Sequence, residues 1–152
     1  QVVFRVKDAE LVSQLIDGTF PDYQQIIPRS YKSRTLVSTA SLLKACRQAE
    51  IFAREGSNVV RLNIKTNGEM QPGEVEISAH SEETGSNETL VEATVDGIPL
   101  LIAFNVRYLR EVLEVVKSPN VAIETSAQNA PGVVRPVGDD HFLHVIMPMH
   151  LG

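Results

Sequence analysis

Asp139, Asp140, His141 and His144 crowd two carboxylates and two imidazoles into six residues. Such a cluster can hold a divalent cation or divide acid and base roles between its members. The spacing argues against both. His141 and His144 stand three apart in a stretch that alternates like a strand, so their side chains are expected on opposite faces. Asp139-Asp140 falls between two apolar runs, where an aspartate is a common turn residue because its carboxylate bonds its own backbone. Cys46 lies on the apolar stripe of a helical pattern and is expected to be inert core. Asn87-Glu88-Thr89 matches the glycosylation pattern, which carries no weight in a cytosolic chain. The sequence has no glycine-rich phosphate loop and no nucleophile elbow. No catalytic residue, metal or cofactor is therefore expected. The rival reading is a small α+β hydrolase or metal-dependent enzyme domain that uses Asp139, Asp140, His141 and His144.

Composition bounds the partners. The 152 residues carry a net charge of −5, whereas a DNA-binding module usually has a basic excess that neutralises phosphates. Any contact with nucleic acid must then be local or weak. Hydrophobic residues make up 43% of the chain, without an apolar run long enough to cross a bilayer, so no membrane partner is expected. A single cysteine fits a reducing cytoplasm.

Two prolines bracket Phe20-Pro21-Asp22-Tyr23-Gln24-Gln25-Ile26-Ile27-Pro28, a run with neither helical nor strand periodicity, which reads as a semi-rigid connector. Before it, residues 1–7 and 9–16 alternate around a Lys7-Asp8 turn as a hairpin too small to be stable alone, and the start in mid-pattern reads as a fragment boundary. After it comes enough chain for one complete domain. Its order is strand (31–38), helix (40–54), strands (59–64, 74–79, 89–95 and 98–104), helix (106–117) and strands (120–125, 133–137 and 142–146). The hydroxyls of 38–41 and Asn105 are placed to cap the helices, 80–88 reads as a polar loop tip, and Asp96-Gly97 is a strong hairpin signal. Each half sets one helix beside antiparallel strands. The fold class is α+β, a pseudo-twofold antiparallel sheet with two helices on one face.

Phe20-Pro21-Asp22-Tyr23, Phe104-Asn105-Val106 with Tyr108, and the closing Val145-Ile146-Met147-Pro148-Met149 occur in an order and spacing that resembles the β subunit of bacterial DNA polymerase III, the sliding-clamp family. The similarity covers essentially the whole chain. It implies that residues 1–19 are the C-terminal hairpin of a middle clamp domain, 20–28 the interdomain connector and 29–152 the C-terminal clamp domain. It further implies a non-catalytic processivity factor, a homodimeric ring at full length that encircles duplex DNA with helices lining the hole. The partners implied are double-stranded DNA, the replicative polymerase catalytic subunit, the clamp loader and other clamp-motif peptides, in the cytoplasm.

The same resemblance places a peptide groove where the middle and last domains meet. Its wall is matched at Pro21, Asn105, Tyr108, Met147, Pro148, Met149 and Leu151, with Gln25, Ile26 and His150 also belonging to it. Gln25 and His150 stand where the family often has basic residues, which leaves this groove less basic. Methionines flanking a rigid proline suit such a site, because they make a soft apolar surface that adapts to several peptides. The face turned toward DNA is expected to present Lys44, Arg47 and Arg54 from the first helix and Arg107, Arg110 and Lys117 from the second, with Glu111 and Glu114 tempering the field.

Overall fold

The computed structural model describes residues 1–66 and 72–150. Strands β1 (Val2–Val6) and β2 (Ala9–Ser13) form a separate antiparallel hairpin in which Val6 faces Ala9 across the two-residue Lys7-Asp8 turn. The second strand stops at Ser13, short of the expected Ile16, because its partner has run out: Val2 already faces Ser13. The connector is more ordered than its sequence suggests. Tyr23–Gln25 make one turn of 3-10 helix, held by Asp22, whose carboxylate accepts from the Gln24 backbone N–H at 3.2 Å and the Gln25 side-chain amide at 3.0 Å.

The remaining elements follow the expected order: β3 (Ser33–Ser38), α1 (Thr39–Ala53), β4 (Val59–Lys65), β5 (Gly73–Ser81), β6 (Gly85–Gly97), β7 (Leu100–Asn105), α2 (Val106–Val115), β8 (Asn120–Thr125), β9 (Gly132–Pro136) and β10 (His144–Ile146). Their eight strands form one antiparallel sheet in the order β10-β9-β8-β3-β6-β5-β4-β7. The order repeats itself. Taking the chain as two halves, β3 to β6 and β7 to β10, the groups β10-β9-β8-β3 and β6-β5-β4-β7 have the same internal arrangement, because the first strand of each half pairs with the second strand of the other. The chain after β10 then turns back to β7, where the Met149 N–H donates to the Ala103 carbonyl at 2.8 Å.

Local chemistry starts each helix. The Ser38 hydroxyl accepts from the Ser41 N–H, and the Asn105 side-chain carbonyl accepts from the Arg107 N–H at 3.0 Å. Helix α2 ends at Val115, before the expected Lys117, and Val116 is already extended ahead of Ser118-Pro119. A ten-residue helix is marginal alone. It is held by burying Val106, Leu109, Val112 and Leu113, each worth roughly 1.5–3 kcal/mol. Helix α1 buries Leu42, Ala45, Cys46, Ala49 and Ala53 in the same core, over Leu62, Ile64, Val75, Ile77 and Ile123 of the sheet. Both helices lie on one face and touch each other.

Two turn readings are corrected. Asp96-Gly97 does not close a hairpin, because β6 pairs with β5 and β3 while β7 pairs with β4. Gly97, at φ +117°, serves a close approach instead: a Cβ there would lie 2.1 Å from the Lys32 carbonyl oxygen. The 80–88 tip is mostly strand. Ladder pairing continues to Ser81 opposite Gly85, and the Ser81 hydroxyl accepts the Glu83 and Thr84 N–H groups at 3.2 and 3.1 Å while donating to the Glu55 carboxylate.

Candidate functional site

Strand β7 runs directly into α2, so Asn105 and Tyr108, one helical turn apart, share the side of the helix start. The Met149–Ala103 hydrogen bond sets the C-terminal tail against the same strand two residues earlier. Met147 is 61% exposed and Tyr108 54% exposed, while Asn105, Pro148 and Met149 are half-buried. This corner of the sheet is where the tail residues Met147, Pro148 and Met149 run beside the end of β7 that leads through Asn105 into α2. Pro21, Gln25 and Ile26 are exposed in the connector, and among the described residues no hydrogen bond or ion pair joins them to that corner. What is anchored is the chain just after the connector, where the Ser126 hydroxyl donates to the Ser30 carbonyl at 3.1 Å and the Lys32 N–H to that of Thr125 at 2.9 Å. Leu151 lies outside the described residues.

His150 is exposed and lines a cavity of about 350 Å³ with Val59, Arg61, Ser78, His80 and Glu88, in which Val59 and Arg61 face Asn105 and Ala103 across the β4–β7 ladder. Arg61 and His80 were not expected at a site. The signal available was strand alternation, since both are polar residues on the outward beat of β4 and β5.

The helix face is more self-paired than its sequence suggests. Arg110 bridges Glu50 of α1 at 3.0 Å and Glu114 at 2.9 Å, and Arg47 reaches across from α1 to the same Glu114 at 3.2 Å. Arg107 pairs with Glu111 at 3.0 Å. Only Lys44, Arg54 and Lys117 of the six expected cations have no ion-pair partner among the described residues. Hydrogen bonds from Arg110 and then Arg47 hold the Glu114 carboxyl below its ordinary range, and the bond to Glu114 likewise raises Arg110. Glu50 was missed, because a partner 60 residues away leaves no local spacing to read.

Residues 24–150 match the family model described as DNA polymerase III beta subunit, C-terminal domain. The chain belongs to the DNA polymerase III β-subunit family. It is 31% identical over 151 residues to the beta sliding clamp of Synechococcus elongatus, covering 99% of this chain and 39% of the relative. It is 32% identical over 152 residues to that of Bacillus subtilis, covering 98% and 39%. The DNA polymerase III β subunit of Thermotoga maritima superposes with a TM-score of 0.89 at 25% identity, over 99% of this chain and 39% of that one. The chain therefore spans about 39% of the length of the clamps it matches.

Against the clamp fold, the acidic and imidazole cluster does not converge. His141 lies in the β9–β10 turn rather than on a strand, with its N–H donating to the Asp139 carboxylate at 2.9 Å, while His144 is the first residue of β10. Burial pushes the His144 imidazole below its ordinary range, partly opposed by the charge of Glu111. Cys46 is fully buried, and burial followed by the charge of Glu50 pushes its thiol up to about 12.

Proposed function

We propose that this chain is the C-terminal part of a ring-shaped, non-catalytic processivity clamp that encircles duplex DNA and tethers the replicative polymerase and other partners. The observation that carries this is the placement of both helices side by side on one face of a continuous sheet, with their cations outward, in a chain matched by the clamp family over residues 24–150. Held this way, a helix pair meets phosphates through weak, screened contacts that favour no sequence, and topology rather than affinity keeps the ring on DNA. Ring closure by a second copy at full length has an available edge. Gly85–Glu92 of β6 pair with β5 alone among the described residues, beside a cavity of about 720 Å³ that Ser41, Lys44 and Gln48 of α1 also line.

The partner site is the corner built by Asn105, Tyr108, Met147, Pro148 and Met149, completed by Pro21, Gln25 and Ile26 of the connector between residues 1–19 and 29–152. It takes a short linear peptide carrying glutamine, leucine and phenylalanine, of the kind a polymerase subunit or clamp loader would present. No helix among the described residues is long and apolar enough to cross a membrane, and the proposed place of work is the cytoplasm.

Two experiments test this. The full-length protein, loaded on circular duplex, should be shed when the circle is cut; equal retention on circular and linear DNA defeats the ring. In peptide titrations Met149→Ala should weaken binding by about 1–2 kcal/mol, roughly five- to thirtyfold. Unchanged affinity removes the corner from the site.

A further inference from the structure

We propose that Glu114 acts as a built-in brake on duplex binding, holding Arg47 and Arg110 in a bridge between the two helices so that neither is free for a phosphate. The inference rests on the reading that the helix pair faces DNA, and it names the residue that sets the strength of that contact.

The three kinds of cation on this face differ in what a phosphate must displace. Lys44, Arg54 and Lys117 have no ion-pair partner among the described residues and need displace nothing. Arg107 is held only by Glu111 in an exposed pair four residues apart, with side chains 64% and 48% accessible; such pairs are weak and exchange readily with other anions. Arg47 and Arg110 are tied across the two helices. Both close on the single Glu114 carboxylate, Arg47 with a side chain that stays 60% accessible, and Arg110 lies at its other end 3.0 Å from Glu50 as an ion pair, with side chains of 24% and 14% accessibility. A phosphate approaching Arg110 must break a network spanning α1 and α2, in which each side chain is already ordered by the others, so little further entropy is lost in keeping it. Glu114 stays ionised throughout the neutral range because both arginines donate to it.

The consequence is functional. A sliding contact needs enough positive charge to centre the duplex and too few direct phosphate contacts to stop it, and each direct contact adds about 0.9 to the slope of log K on log salt. Pinning two arginines removes up to two such contacts while leaving the charges in place for the long-range field.

The test is titration of labelled duplex with the chain and its variants between about 50 and 200 mM salt, with thermal melts to show that each variant is folded. Glu114→Gln should bind about three- to eightfold tighter near 0.1 M salt and steepen the slope by about 0.9 for each arginine released. Glu50→Gln, which frees Arg110 from the other end, should move both readouts in the same direction. Adding Arg47→Gln to Glu114→Gln should take back the Arg47 share. Glu76→Gln makes the same charge change on the outward face of β5, where Glu76 pairs with Lys65, and should leave both readouts where they are. Tighter binding by Glu76→Gln equal to that by Glu114→Gln, or no gain by Glu114→Gln at the low-salt end, overturns the brake. If Lys44→Gln weakens binding while Glu114→Gln changes nothing, the brake alone fails; if neither changes binding, the helix face does not meet duplex and the parent reading fails with it.

Discussion

Gly132→Ala is expected to loosen the join that carries the tail to α2. Gly132 faces Ile146 in the last ladder pair before Met147. A Cβ on it would stand 2.6 Å from Cζ and 3.2 Å from Cε1 of Phe104, and 3.5 Å from Cγ2 of Ile146. The Phe104 ring is fully buried in the core beneath both helices, so it cannot swing into solvent to make room. Overpacking of this kind costs about 1–3 kcal/mol, against a return of about 0.5–1 kcal/mol for removing a glycine from a strand. The net loss is about 1–2 kcal/mol, which for a domain of this size lowers Tm by about 2–8 °C. Thermal unfolding followed by circular dichroism and calorimetry reads it. Phe104→Leu shortens the ring that the new methyl strikes, so the double variant should be more stable than the sum of the single losses by about 1 kcal/mol. A Gly132→Ala chain that melts at or above the parent, or a double variant that is additive within about 0.5 kcal/mol, refutes the contact.

Asn105→Ala removes the side-chain acceptor at the start of α2 and should cost about 1 kcal/mol, with Asn105→Ser recovering most of it; denaturant midpoints at constant slope check this. The His144 imidazole is depressed in the folded chain, so as pH falls through the unfolded value of 6.5 the unfolded chain takes up the proton first. Stability is then complete above that pH and declines below it, and His144→Gln should flatten the decline below pH 6.5 in Tm-against-pH curves. With its thiol pushed up to about 12 and no exposure, Cys46 should react with thiol reagents at mildly alkaline pH only as fast as the chain opens, so rapid modification of the folded chain would contradict the burial.

How far the sequence could be read divides along the range of the interactions. Helix starts were legible because Ser38 and Asn105 act on N–H groups two or three residues away. Apolar stripes and the element order were legible for the same reason. Pairing was not. Asp96-Gly97 has the residue types of a hairpin turn, yet the adjacent strands part company, and β7 lies against β4, facing it from Leu100 to Asn105. The glycine is required all the same, by a backbone 65 residues away in sequence that leaves no room for a Cβ. At the tail, the sequence offered apolar residues and a proline, but only the hydrogen bond to Ala103 shows them held along β7 rather than trailing from the sheet.

The helix face shows why net charge misleads when it is taken over a whole chain. An overall −5 argues against phosphate contact, but the sheet separates the charges. The helices and the turns that end them carry six cations against Glu50, Glu55, Glu111 and Glu114, while Glu74 and Glu76 belong to β5. A duplex on the helix side is therefore within a screening length of the positive face. Sequence spacing could expose the pairs Arg107–Glu111 and Arg110–Glu114, each four apart on one helix. It could not expose Glu50 with Arg110 or Arg47 with Glu114, which exist only because α1 and α2 pack together. Counting cations from the sequence gives the field that steers a duplex inward; only the cross-helix pairs decide how many of those cations can take hold of it.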